Sequence, residues 1–290
     1  MNRKVYDCFC YFNEDMLLEL RLETLWDYVD YFVISEASYS HRGEDRDVNF
    51  DIKRFSKYMS KIRYLRLDER PIGKNDFWKN ENFIRDNLIN GLFDAEPDDL
   101  VLISDLDEIP NPENIFLYDP NKYLRGDFCQ SYYSYFFNNH WLGDVDKKGK
   151  LIPDSNIWLG SKITTYQNLV NFFKSKATSV RSYKSSGPLR AVKRAWFKRR
   201  YAQIILNGGW HFTWIFSIDD IIKKLENTAH QEFNKIEYKD KNYIKNRIYN
   251  GMDFIKKSSR YQRQIIDNTF PQYLQDQQKK YADYILPPHD

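Results

Sequence analysis

Between Asp154 and Asp219 the chain contains no aspartate or glutamate. The same stretch carries eleven basic residues: Lys162, Lys174, Lys176, Arg181, Lys184, Arg190, Lys193, Arg194, Lys198, Arg199 and Arg200. The rest of the chain is left acidic, with 33 basic against 41 acidic side chains, so a net charge of +3 hides a strong asymmetry. A basic block of this kind calls for an anionic partner such as a diphosphate, a phospholipid surface or a nucleic acid.

Other absences narrow the class. Only three cysteines occur, Cys8, Cys10 and Cys129, and an odd number without framework spacing excludes a disulfide scaffold and implies reduced thiols. Asn-x-Ser/Thr does not occur, which disfavours a secretory route. No run approaches the roughly 18 uncharged apolar residues of a membrane helix, and the first residues lack a signal-peptide pattern. The expectation is a protein made in the cytoplasm, with a peripheral contact on the inner face of a membrane through residues 184–201. Internal repeats and low-complexity linkers are also missing. What the chain has in quantity is aromatic residues, 17% of the total, with 22 Tyr and 20 Phe, of which tyrosine suits clefts and sugar-binding surfaces.

At 290 residues there is room for one large core. Strands are expected at 4–12, at "YFVISEA" (31–37), at "IRYLRL" (62–67) and at "LVLIS" (100–104), alternating with helices at 14–28, near "FDIKRFSKYM" (50–59) and over 76–93. Such alternation implies βαβ crossovers, hence an α/β fold with a mostly parallel, Rossmann-like sheet covered on both faces. Beyond residue 120 come aromatic strands, a strand, glycine turn and strand at "QIILNGGWHFTWIF", a helix capped by Ser217 and Asp220, and a C-terminal helical extension over 241–290. The expected organisation is one domain over 1–240, with a nucleotide half to about 120 and an acceptor half to 240, and the helical extension packed on it.

Ligands of open α/β sheets bind beyond the carboxyl ends of the strands. Glu36 and the cluster Asp105, Asp107 and Glu108 fall at such ends. Three carboxylates within four positions repel one another unless something positive sits between them. On extended chain Asp105 and Asp107 would point the same way and could share a hard divalent cation, leaving positions for phosphate oxygens. His211, following the paired glycines of "NGGWHF", is a candidate third ligand.

The stretches "YFVISEASYSHRGE", "SDLDEIP" and "GGWHFTWIFSIDDIIKKL" resemble glycosyltransferase family 17 across roughly residues 5–255. The resemblance implies a GT-A type fold, a UDP-sugar donor with N-acetylglucosamine foremost, Mn2+ or Mg2+ bridging the diphosphate, and inversion at the anomeric carbon. It places Asp107 and His211 on the metal, and Asp105 on ribose or, through water, on the metal. Glu108 would then lie on donor or acceptor, and Glu36 on uracil or ribose. Arg85, one turn after Glu81, faces the same rim and is expected to pair with a carboxylate or phosphate. An inverting displacement also needs a carboxylate base, for which Glu108, Glu232 and Asp219 are candidates. The partners implied are a nucleotide sugar and a glycan acceptor, lipid-linked among the options, with no specific nucleic acid. Two other readings stand beside this one. The first is a non-catalytic binder of anionic polymer or membrane phosphate using residues 174–200. The second is a two-metal nucleotidyltransferase.

Overall fold

Asp7 is a lone acid in an otherwise apolar strand, and the helix that follows explains it. The structure, a computed structural model, describes residues 3–71, 77–182, 201–227 and 236–287. The chain divides into two compact units, Met1–Cys129 with Leu159–Gly209, and Gln130–Trp158 with Trp210–Asp290.

In the first unit β1 (Val5–Cys10), β2 (Tyr31–Ala37), β3 (Ile62–Leu67) and β4 (Leu100–Asp105) run parallel in the order β3-β2-β1-β4. Their near-continuous apolar sequences suit strands buried on both faces. The helix α1 (Asp15–Leu25) covers the face onto which Asp7 points. The opposite face carries Tyr6, Cys8, Val33, Val101 and Ile103. It packs against Leu88 and Leu92, beyond α2 (Phe77–Asp86), and against α3 (Tyr166–Asn171) and α4 (Ala177–Arg181). The expected α/β sheet with helices on both faces is what forms. Parallel register sets Cys10 opposite Asp105 and opposite Ser35, so the strands end together at one rim.

After β4 the chain does not continue extended. Leu106 and Asp107 form a turn, and a short β5 (Glu108–Pro110) follows. Leu106 and Ile109 are buried and anchor it. In the same unit β8 (Trp158–Thr165) pairs antiparallel with β4, and β9 (Ala202–Ile205) pairs parallel with the start of β6 (Arg125–Ser134). The paired glycines bring backbone against backbone rather than against a ligand. Gly209, at φ +116°, would place a β-carbon 2.2 Å from the Ile109 carbonyl oxygen, and Asn111 N–H donates to the Gly208 carbonyl at 2.9 Å.

The second unit holds the rest of β6, β7 (Asn139–Asp144), most of β10 (Gly209–Thr213) and β11 (Ser259–Arg263). It also holds α5 (Ile218–Asn227) and α6 (Lys241–Tyr249). Ser217 caps α5 as the sequence suggests, its Oγ accepting from Asp220 N–H at 3.2 Å.

One expected helix is not there. Around 50–59 only a 3-10 turn forms at Ser56–Tyr58, because Phe50 stacks on Phe55 and Tyr64 and its amide is bound by Glu36. The C-terminal region is helical in part, at α6 and again at Gln272–Asp276, but a strand interrupts it. Gly251, at φ +65°, ends the run after α6, and β11 returns antiparallel to β7. Among the described residues no helix is long and apolar enough to cross a membrane.

Candidate functional site

The positive charge that the acidic turn requires is supplied by three arginines. Arg21 of α1 is completely buried, and its Nε and Nη2 grip both oxygens of equally buried Asp7 at 2.7 and 2.6 Å. Its Nη1 donates to the carbonyls of Asp105, Leu106 and Glu108 at 3.0, 3.1 and 2.8 Å. One guanidinium thus sits inside the turn and draws its carbonyls inward, away from the carboxylates.

The other two arginines approach from the helices of the opposite face. Arg85 of α2 reaches Asp105 Oδ1 at 2.8 Å while pairing with Glu81 at 3.0 Å, as expected of it. Arg181, the last residue of α4, donates to Asp105 Oδ2 at 2.5 Å and to both oxygens of Glu108, with a further bond to the Gly160 carbonyl at 3.0 Å. Burial by itself would lower the proton affinity of Arg181, but Asp105, Glu108 and Asp107 outweigh it and hold the guanidinium well above its ordinary range. The helix that delivers Arg181 is pinned at Thr178, whose amide donates to Asp86 at 2.8 Å, and at Val180, whose carbonyl accepts from Arg125. Asp86 adjoins Arg85 in sequence, so α2 and α4 present their arginines on either side of Asp105.

Several candidates have partners of their own within the fold. Asp105 and Asp107 do not alternate along one extended strand; the turn at 106–107 separates them. Glu108 is 1% exposed, and its carboxylate receives Arg181 and the Asp105 amide, an arrangement that fixes the turn rather than one that waits for a proton. The Glu36 carboxylate is fully buried and occupied by its own loop. It accepts from Arg46 and Asn49 N–H on one oxygen, and from Phe50 N–H and the Tyr64 hydroxyl on the other, which leaves no place for uracil or ribose. His211, in the second unit, is 7% exposed, stacked on Trp158 at 4.6 Å and set edge-on to Tyr132 at 4.8 Å. Asp219 pairs with Lys241 in that unit. Glu232 lies outside the described residues, as does the basic segment 183–200.

Among the described residues no three or more His, Cys, Asp or Glu side chains are grouped to hold a metal ion, the expected trio of Asp105, Asp107 and His211 included. A hard cation bound with its substrate needs less, since one or two carboxylates suffice when phosphate oxygens and water complete the shell. Asp107, at the tip of the turn, meets that lesser requirement. Asp105 and Glu108 fit it poorly because guanidinium groups already lie on their oxygens.

Behind the turn lies a buried lysine of the basic block, one that spacing does not single out. Lys162 of β8 sits opposite Ile103 and is 5% exposed, its ammonium 2.8 Å from the Leu159 carbonyl and 3.5 Å from Asp127. Burial pushes it from 10.5 down to about 8; Asp127 opposes this, while Arg125 and Arg181 add to it. Between pH 8 and 10.5 the unfolded chain therefore binds more protons than the folded one, so this group makes stability rise with pH across that interval. Replacing Lys162 with methionine is expected to remove the slope, and the stability gap between variant and parent should shrink by about 2–3 kcal/mol from pH 8 to 10 in urea titrations. A constant gap would show that the ammonium is not desolvated.

The glycosyltransferase family 17 model matches residues 1–142, a span that contains β1 to β5 and the whole acidic turn. Curated proteins called beta-1,4-mannosyl-glycoprotein 4-beta-N-acetylglucosaminyltransferase, from Rattus norvegicus and Homo sapiens, are each 26% identical over 275 residues, covering 86% of this chain and 48% of the relative. The chain therefore spans about half the length of the curated relatives it matches. Among solved structures, glucosyl-3-phosphoglycerate synthase from Mycobacterium tuberculosis, in complex with Mn2+ and UDP-glucose, is 14% identical over 78% of this chain and 79% of its own. Its TM-score of 0.37 is too slight a likeness to bear on fold or function. Within the matched segment, the sequence motif "SDLDEIP" and the three-arginine turn are the same residues seen in two ways.

Proposed function

We propose that the chain is a GT-A type glycosyltransferase that moves a sugar, N-acetylglucosamine foremost, from a UDP-sugar to a glycan hydroxyl with inversion. One observation carries the reading: a family 17 acidic turn at the carboxyl end of β4 whose Asp105 bears a guanidinium on each carboxylate oxygen. Two arginines that donate to one carboxylate from both sides can also donate to a diphosphate, which offers more oxygens and more charge.

In the displacement, the acceptor oxygen bonds to the anomeric carbon as the bond from that carbon to the UDP oxygen breaks. The acceptor proton passes to a carboxylate, and negative charge collects on the departing diphosphate. Arg85 and Arg181 stand where that charge would be met, and Arg21 keeps the turn rigid while it develops. A bound divalent cation would supply further neutralisation without proton transfer, held by Asp107. Of the three base candidates, Glu108 is committed to the clamp, which leaves Asp219 and Glu232.

The test is UDP release from UDP-N-acetylglucosamine with Mn2+ present, in parent and Asp107→Asn. The variant is expected to retain its melting temperature and to lose about a hundredfold in rate, equivalent to about 3 kcal/mol of barrier. An unchanged rate would remove Asp107 from the chemistry, and absence of UDP release in the parent would remove the transferase reading.

A further inference from the structure

Asp127, at the start of β6 and within the first unit, is 2% exposed. Arg125 and Lys162, both buried as well, attend it. Arg125 sets its Nε 2.6 Å from one carboxylate oxygen and donates from Nη2 to the other at 3.0 Å. Lys162, on the neighbouring strand β8, stands 3.5 Å away. Each cation also donates to a backbone carbonyl. Arg125 Nη1 takes that of Val180, the residue before Arg181, and Lys162 Nζ takes that of Leu159, the residue before Gly160, at 2.8 Å. Gly160 in turn offers the carbonyl that receives Arg181 Nη1 at 3.0 Å, and the Ser161 hydroxyl donates to the Glu108 carbonyl at 2.8 Å. One carboxylate thus lies between the segment that carries Arg181 and the segment that receives it.

We propose that Asp127 is a positioning residue for Arg181, fixing through Arg125 the backbone from which that side chain springs and through Lys162 the carbonyl on which it rests. Its effect on turnover rests on the transferase reading above; its effect on Arg181 does not. Stability alone is a weak reason for such a cluster, because the attraction among buried charges does little more than offset their desolvation. Orientation is a stronger one. A guanidinium that meets charge developing on a diphosphate is most effective when it is already in place, and a displacement of about 1 Å can cost a hundredfold in rate. Buried as it is, Asp127 is out of reach of a solute, so its influence passes through Arg181. Thr178 keeps its own bond to Asp86, so loss of the Asp127 charge frees the last residue of α4 without freeing the start.

The test is arginine side-chain NMR on the full chain at pH 7, where Lys162 carries its proton. The Arg181 signals are assigned by their loss in Arg181→Lys. A guanidinium gripped at both Nη groups turns slowly about its Nε–Cζ bond, so the parent should give two separate Nη signals for Arg181. In Asp127→Asn these should merge, while those of Arg21, whose partners are other groups, stay apart. On the same samples, kcat for UDP release from UDP-N-acetylglucosamine should fall about tenfold or more with KM changed less than about twofold. A purely structural role would leave both readings at parental values below the melting temperature. Merged Arg181 signals in the parent overturn the proposal, as do signals that stay apart in folded Asp127→Asn. Should that variant not fold, Lys162→Met decides: it cuts the Leu159 arm and leaves Asp127 paired with Arg125, and an Arg181 still held there overturns the proposal equally. A parent that releases no UDP while Arg181 loosens in the variant ends the transferase reading and leaves the positioning in place. UDP release with Arg181 unmoved does the reverse.

Discussion

Arg181→Met should unfold about 3–5 kcal/mol more easily at neutral pH, because removing one partner of a buried charge cluster leaves the others uncompensated. The side chain is 14% exposed, and the Glu108 it neutralises is 1% exposed. Without it, Glu108 and Asp105 face each other within one short turn. Urea titrations of parent and variant at pH 7 check this. A loss below about 1 kcal/mol would mean that the contact behaves as an ordinary surface pair. Arg181→Lys should recover part of the stability but not the two-point grip on Glu108, since an ammonium cannot reproduce the fork.

The second large effect concerns Arg21. Arg21→Met leaves Asp7 charged at zero exposure and strips three turn carbonyls of their donor, a combined loss expected to reach or exceed about 5 kcal/mol. The double variant Asp7→Leu, Arg21→Met should regain much of this, because a buried ion pair replaced as a whole by apolar groups is often neutral. Recovered stability should not bring back UDP release, since the carbonyls of Asp105, Leu106 and Glu108 would still lack their anchor. If the double variant releases UDP at the parental rate, the anchoring role of Arg21 is wrong. If the single variant unfolds at the parental urea concentration, its burial is wrong as well.

Strand positions were legible in the sequence because the central strands are short apolar runs bounded by turn residues; β2 and β3 fall on the expected residues. The location of the acidic turn followed from the same pattern. Its geometry did not, because alternation along a strand says nothing of where the strand ends, and the turn at Leu106 and Asp107 depends on a guanidinium 84 to 87 positions away in sequence. The clue was present in two places. Asp7 is the one charged residue of β1, and Arg21 lies among leucines on α1 that are nearly all buried. A lone acid in a buried strand and a lone arginine on a buried helix face imply each other. Glu36 misled for a related reason: the end of a parallel strand is where ligands bind, but a carboxylate there serves equally well to tie down the loop that follows. The basic block was visible as composition, yet among its described residues it is Arg181 that bonds to the carboxylates of the turn, and nothing in spacing singled it out.

The register that sets Cys10 beside Asp105 has a practical result for handling the protein. Burial pushes the Cys10 thiol up to about 12, and Cys8, wholly enclosed, is also held well above its ordinary value. Alkylating agents and peroxides attack thiolate, so both sulfurs of β1 should stay inert in air, and purification without reductant should leave this strand and the turn beside Cys10 chemically intact.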